Sequence, residues 1–215
     1  MLCLAIFSFN KQSVYQWDTN CVPLLADLFL YSYESKFLQN LVKSGEKTVA
    51  KSFNYTYRYI DGVLSLNNHK FGEYVNAIYP SELEIKDTTD YPCSASYLDL
   101  YLNYDTHDML HLTLHDKCDN FNFSIVNFPF LCSNIPASPA YGIYVSQLVR
   151  YGRACSHYGD FLQRSKLLTI KLLTQGYCKP GLIRALKKFY GRHHNIVDKY
   201  VVTISQIILD IFDLP

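Results

Sequence analysis

The sequence has no CxxC pair, no low-complexity tract, no internal repeat and no apolar run long enough to cross a bilayer. It also has almost no net charge, +1 overall. Each absence closes off a class of protein. Zinc ribbons and thioredoxin-like redox sites need closely spaced cysteines. The seven cysteines here stand far apart, at 3, 21, 93, 118, 132, 155 and 178. An odd, scattered set also suits no disulfide framework, so a reduced intracellular protein is the simplest reading, with nucleus or cytoplasm left open. The opening Met1–Phe9 segment is apolar but has no basic n-region and no convincing cleavage site. It falls well short of the roughly 20 apolar residues a membrane helix needs. The chain therefore reads as neither secreted nor bound to membrane. Near-neutrality removes global positive charge as a sign of nucleic-acid binding and moves the question to where the charge lies.

What is present argues for a folded protein. Hydrophobic residues make up 49% and charged residues 18% of the 215, which excludes disorder and leaves enough material for a core. Aromatics are abundant, with 19 Tyr and 13 Phe. Tyrosine suits half-buried strands and wet interfaces because it joins an apolar body to a polar tip.

The pattern along the chain divides in two. Pro23 opens a helix in which Leu24, Leu25, Leu28, Leu38 and Leu41 fall at helical spacing, and Gly45 is its stop. Then the period changes to two. Phe53, Tyr55, Tyr57 and Tyr59 alternate with Asn54, Thr56, Arg58 and Ile60, followed by Asp61-Gly62 and the apolar run from Val63 to Leu66. An Asp-Gly pair between strand-like runs predicts a tight hairpin with Asp61 and Gly62 central in a type I′ turn. A short helix over 70–79 ends at Pro80, and a strand follows over 82–86. Leu98, Leu100 and Leu102 alternate with polar neighbours, as do Leu110, Leu112 and Leu114, which predicts a second antiparallel pair. Pro129, Pro136 and Pro139 mark a boundary. Beyond it the pattern is helical: a helix capped by Ser138-Pro139 through Arg153, then helices over 160–175, 180–193 and 197–211. Ile204, Ile207, Ile208 and Ile211 make one apolar stripe in the last.

Charge follows the same division. Between Arg150 and Lys199 eleven basic residues, among them Arg150, Arg153, Lys187, Lys188 and Arg192, are opposed within the segment by Asp160 and Asp198 alone. That imbalance is either a phosphate-contact surface or a solvated helical face.

Tyr59-Ile60-Asp61-Gly62 resembles the Tyr-x-Asp-Asp box of reverse transcriptases, carried on a palm hairpin. Further segments agree in order. Thr19-Asn-Cys-Val-Pro-Leu-Leu-Ala-Asp-Leu-Phe29 is similar to the end of the preceding palm motif and its helix. Tyr97-Leu-Asp-Leu100 resembles the strand after the catalytic hairpin. Asn127-Phe-Pro-Phe130, Ile135-Pro136, Gln147 to Arg153 and Gly159 to Gly176 resemble the passage into a helical thumb. The set is most similar to Penelope-type retroelements and covers roughly Thr19 to Gln206. The resemblance implies an α+β fold: a divergent segment over 1–18, a partial, antiparallel palm over 19–126 and a helical thumb-like region over 127–215. It also implies RNA-directed DNA synthesis with two Mg²⁺ ions and an RNA–DNA duplex as partner.

The departures bear on activity. Two-metal catalysis clamps the attacking and leaving oxygens, and Mg²⁺ needs carboxylates to hold it there. The family supplies one upstream Asp and an adjacent pair at the hairpin tip. Here Asp61 stands alone, Gly62 replaces the second carboxylate, Asp18 sits where the family has a small residue, and Asp27 matches no catalytic position. The expectation is a degenerate reverse transcriptase fragment without activity, Asp61 being at most a weak metal ligand and Asp61-Gly62 a scaffold turn. The alternatives are a non-catalytic nucleic-acid-binding remnant using the basic helices and a pseudogene product without a selected role. A palm lacking its upstream strand would also leave a sheet edge open to self-association.

Other patterns carry less. His107, His111 and His115 recur every fourth residue with Cys118 beyond. On a strand that spacing spreads them by roughly 13 Å each, too wide for one zinc ion, so an exposed polar face is expected. Gly142-Ile143-Tyr144 matches half of a GIY-YIG nuclease signature without its second half. His193-His194 reads as a polar helix end.

Overall fold

A computed structural model describes residues 4–11, 22–89, 93–107, 109–123 and 125–213. The fold is α+β. Strands β1 (Leu4–Lys11), β2 (Thr56–Tyr59), β3 (Gly62–Leu66) and β4 (Leu83–Asp87) form one antiparallel sheet in the order β2-β3-β1-β4. Strands β5 (Ser94–Tyr97), β6 (Leu100–Tyr104) and β7 (Leu110–Leu114) form a second. Seven helices occur among the described residues: α1 (Val22–Lys43), α2 (Lys47–Ser52), α3 (Phe71–Ile78), α4 (Ala137–Ala154), α5 (Tyr158–Thr174), α6 (Lys179–Val197) and α7 (Ile204–Phe212). The chain divides into two compact units. One runs to Tyr97 and takes in Leu102–Leu110; the other takes in Leu98–Tyr101 and everything from His111 on. The change therefore comes ahead of the proline-rich segment over 127–140, and residues 111–126 go with the helices rather than with the first sheet.

The core of the first unit joins Leu30 and Leu41 of α1, Phe53, Val63 of β3, and Phe71, Val75 and Ile78 of α3. Phe53 sits between Phe37 at 5.5 Å and Phe71 at 5.9 Å. Helix α1 ends as expected at Gly45, whose φ of +86° closes the helix. The Glu46 amide donates to Leu41 O and the Gly45 amide to Val42 O, the paired bonds of a Schellman stop.

The leucine pattern of α1 holds at its end, where Leu41 is buried and Leu38 packs against the core, and fails at its start. Leu24, Leu25 and Leu28 are 61%, 53% and 54% exposed. The inward face is instead set by Asp27, Leu30, Glu34, Phe37 and Leu41, spaced three and four apart. Two of those five are carboxylates, drawn in by Arg58 on β2.

Two turns also differ. Tyr59 pairs with Gly62, so the two-residue hairpin loop is Ile60–Asp61, not Asp61–Gly62. Among non-glycine residues, Ile60 adopts a positive φ of 52° and Asp61 does not, so the turn is not type I′, which needs both central residues there. The expected single strand through 97–103 breaks at Leu98, whose φ is 56°, and Tyr97-Leu-Asp-Leu100 is the reversal between β5 and β6.

The second unit is a helical assembly. Tyr144 and Leu148 of α4, Phe161, Leu168 and Leu172 of α5, Leu182, Leu186 and Phe189 of α6, and Ile207 and Ile211 of α7 share its core. Helix α4 starts at Ala137, one residue before Ser138, so Ser138-Pro139 lies inside the first turn and makes no cap. Helix α7 starts at Ile204, later than its hydrophobic pattern suggested, because Val201 turns at a φ of 54° and Thr203 then caps the Gln206 amide at 3.3 Å. Helix α6 kinks at His193. Among the described residues no helix is long and apolar enough to cross a membrane.

Candidate functional site

The hairpin of β2 and β3 carries the residues singled out by the sequence. Its two faces differ. Arg58 and Thr56 face the same way as Val63 and Ser65, and Thr56 Oγ1 meets Ser65 Oγ at 2.9 Å. Tyr57 and Tyr59 lie on the other face, exposed, opposite Leu64 and Gly62. Tyr97 closes on that face and its hydroxyl donates to the carbonyls of Tyr57 and Gly62, each at 3.4 Å. Burial raises the Tyr97 phenol above its ordinary range, so it stays a donor at neutral pH. A Cβ at Gly62 would meet Tyr97 Cε2 at 3.5 Å, an ordinary contact, so the turn does not require glycine there.

Asp61 stands exposed at the tip. Among the described residues, no cluster of three His, Cys, Asp or Glu side chains could hold a metal ion. The donor set does not fit a catalytic Mg²⁺: Asp61 is the one carboxylate in the box, and Gly62 offers none. Asp18 lies outside the described residues. Asp27, unassigned in the sequence, is engaged by Arg58, whose Nη1 donates to its Oδ1 at 2.5 Å and whose Nη2 donates to its carbonyl at 3.0 Å.

That arginine organises a network the sequence did not reveal. Arg58 Nε donates to Glu34 Oε1 at 2.6 Å, and Tyr79 Oη donates to the same oxygen at 2.6 Å. The Arg58 side chain is 8% exposed. Burial works against its charge, but Glu34 and then Asp27 outweigh it and hold the guanidinium above its usual range. Tyr79 is pushed far up by burial and by Glu34. Both groups keep one protonation state across physiological pH.

The basic helices sort into two sets. Arg150 of α4 pairs with Asp99 at 2.8 Å in a solvent-exposed contact. Arg164 donates to Asp119 at 2.5 Å and to Leu114 O at 2.9 Å. Lys199 donates to Cys155 O at 2.7 Å and lies over the Tyr200 ring; burial lowers its ammonium below the usual lysine range. Segments outside 150–199 thus supply carboxylates that a count within the segment missed. Arg153, Lys187, Lys188 and Arg192 remain exposed and pair with no carboxylate among the described residues. Arg184, Lys187, Lys188 and Arg192 share the outer face of α6, opposite Leu182, Leu186 and Phe189.

The histidines do not converge. His107 lies in the loop between β6 and β7; His111 stacks on His157 at 4.3 Å and meets Asp160 at 2.9 Å through Nε2. Tyr144 of the Gly-Ile-Tyr tripeptide is fully buried, its hydroxyl on Thr169 Oγ1 at 2.8 Å, which makes it a core residue of α4. No family model, no curated protein and no solved structure matches the chain.

Proposed function

We propose that the chain is a catalytically inactive relative of reverse transcriptases that keeps a nucleic-acid contact. The observation that carries the reading is the hairpin with Tyr59, Asp61 and Gly62 in order at its tip, exposed and clamped from one side by Tyr97. The local form suits a palm hairpin and the carboxylate count does not suit the chemistry. One oxygen-donor side chain cannot hold two Mg²⁺ ions around a phosphoryl group. Binding is the capacity that survives. The outer face of α6 offers four cations without intramolecular partners among the described residues. Such a face contacts phosphates without reading base sequence. The RNA–DNA duplex is the partner this reading names.

Primer extension on a primed RNA template tests the first half. With Mg²⁺ or Mn²⁺ the 215-residue chain should extend no primer above the background of an Asp61→Ala control. Gly62→Asp should not rescue it, although the site has room for a side chain, because among the described residues no third carboxylate joins the box. Extension above that control overturns the reading.

A further inference from the structure

We draw no further inference here: the strongest candidate, the surface patch that Leu24, Leu25, Leu28 and Phe29 form on the outward side of the first turns of α1, is an apolar helix face unpartnered among the described residues, and nothing in the structure shows what covers it.

Discussion

Arg58 Nε lies 2.6 Å from Glu34 Oε1, and the arginine side chain is 8% exposed. The hairpin that carries Asp61 is thereby fastened to α1 by a charge that water hardly reaches. Removing one member of such a pair strands the other. Arg58→Ala should cost about 3–5 kcal/mol, because Glu34 and Asp27 would lose their partner. Asp27→Asn should cost less, since that carboxylate is half exposed and keeps a hydrogen-bonding oxygen. Urea unfolding of the two variants measures the difference; equal, small losses would show that the network contributes little.

The hairpin loop stores strain at Ile60, a β-branched residue at φ +52°. That conformation costs an L side chain about 1–2 kcal/mol, and asparagine bears it better. Ile60→Asn should raise stability by up to about 1 kcal/mol. Ile60→Val, equally branched, should not. Thermal melts of the pair would refute the turn geometry if valine gained as much as asparagine.

Asp116 gives the helical unit an acid-sensitive contact. Burial alone would raise this carboxyl, but the Cys118 amide it accepts from, together with Arg150 and Arg164, holds it below the ordinary range. A lowered folded-state value means stability present above the unfolded value of about 4 and lost as pH falls through the folded one. Asp116→Asn should therefore be less stable than wild type at neutral pH, and the gap should close in strong acid. A gap independent of pH would assign the loss to packing instead.

Replacing Lys187, Lys188 and Arg192 of α6 with glutamine should weaken duplex binding evenly across sequences. Wild-type dissociation constants of about 10⁻⁴ to 10⁻⁶ M are expected at physiological salt. The salt slope should flatten by at most about 0.9 for each phosphate no longer neutralised. Unchanged affinity and slope would mark the face as merely solvated.

The sequence exposed periodicity well and partnership poorly. The two strands of the hairpin, the stop at Gly45, α3 ending before Pro80 and the isoleucine stripe of α7 follow local rules of spacing, and they stand where expected. The inward turn of the first half of α1 has no local signature, because Asp27 and Glu34 are drawn in by Arg58, 31 and 24 residues on. The partner of Arg150 was hidden for the same reason: Asp99 comes from another segment. The turn at Ile60 was missed because Asp-Gly is the better local hairpin signal, and strand register prevailed over it. The candidate box at 59–62 was legible as four letters; the Tyr97 clamp over it arises from folding and has no local signature.

Turning Arg58 inward has a consequence for the sheet's outer margin. Among the described residues β2 and β4 are its edges. Strand β4 carries Glu84 and Lys86, 3.1 Å apart and solvent-facing, which discourages an incoming strand. Strand β2 has no such guard: its one charge is buried and its exposed side chains are Tyr57 and Tyr59. An incoming strand would meet no charged side chain on β2 to repel it. Attraction between molecules in solution should then persist at high salt, since charge does not set it. Tyr57→Lys should turn a negative second virial coefficient positive, and a coefficient that stays negative would place the attraction elsewhere on the molecule.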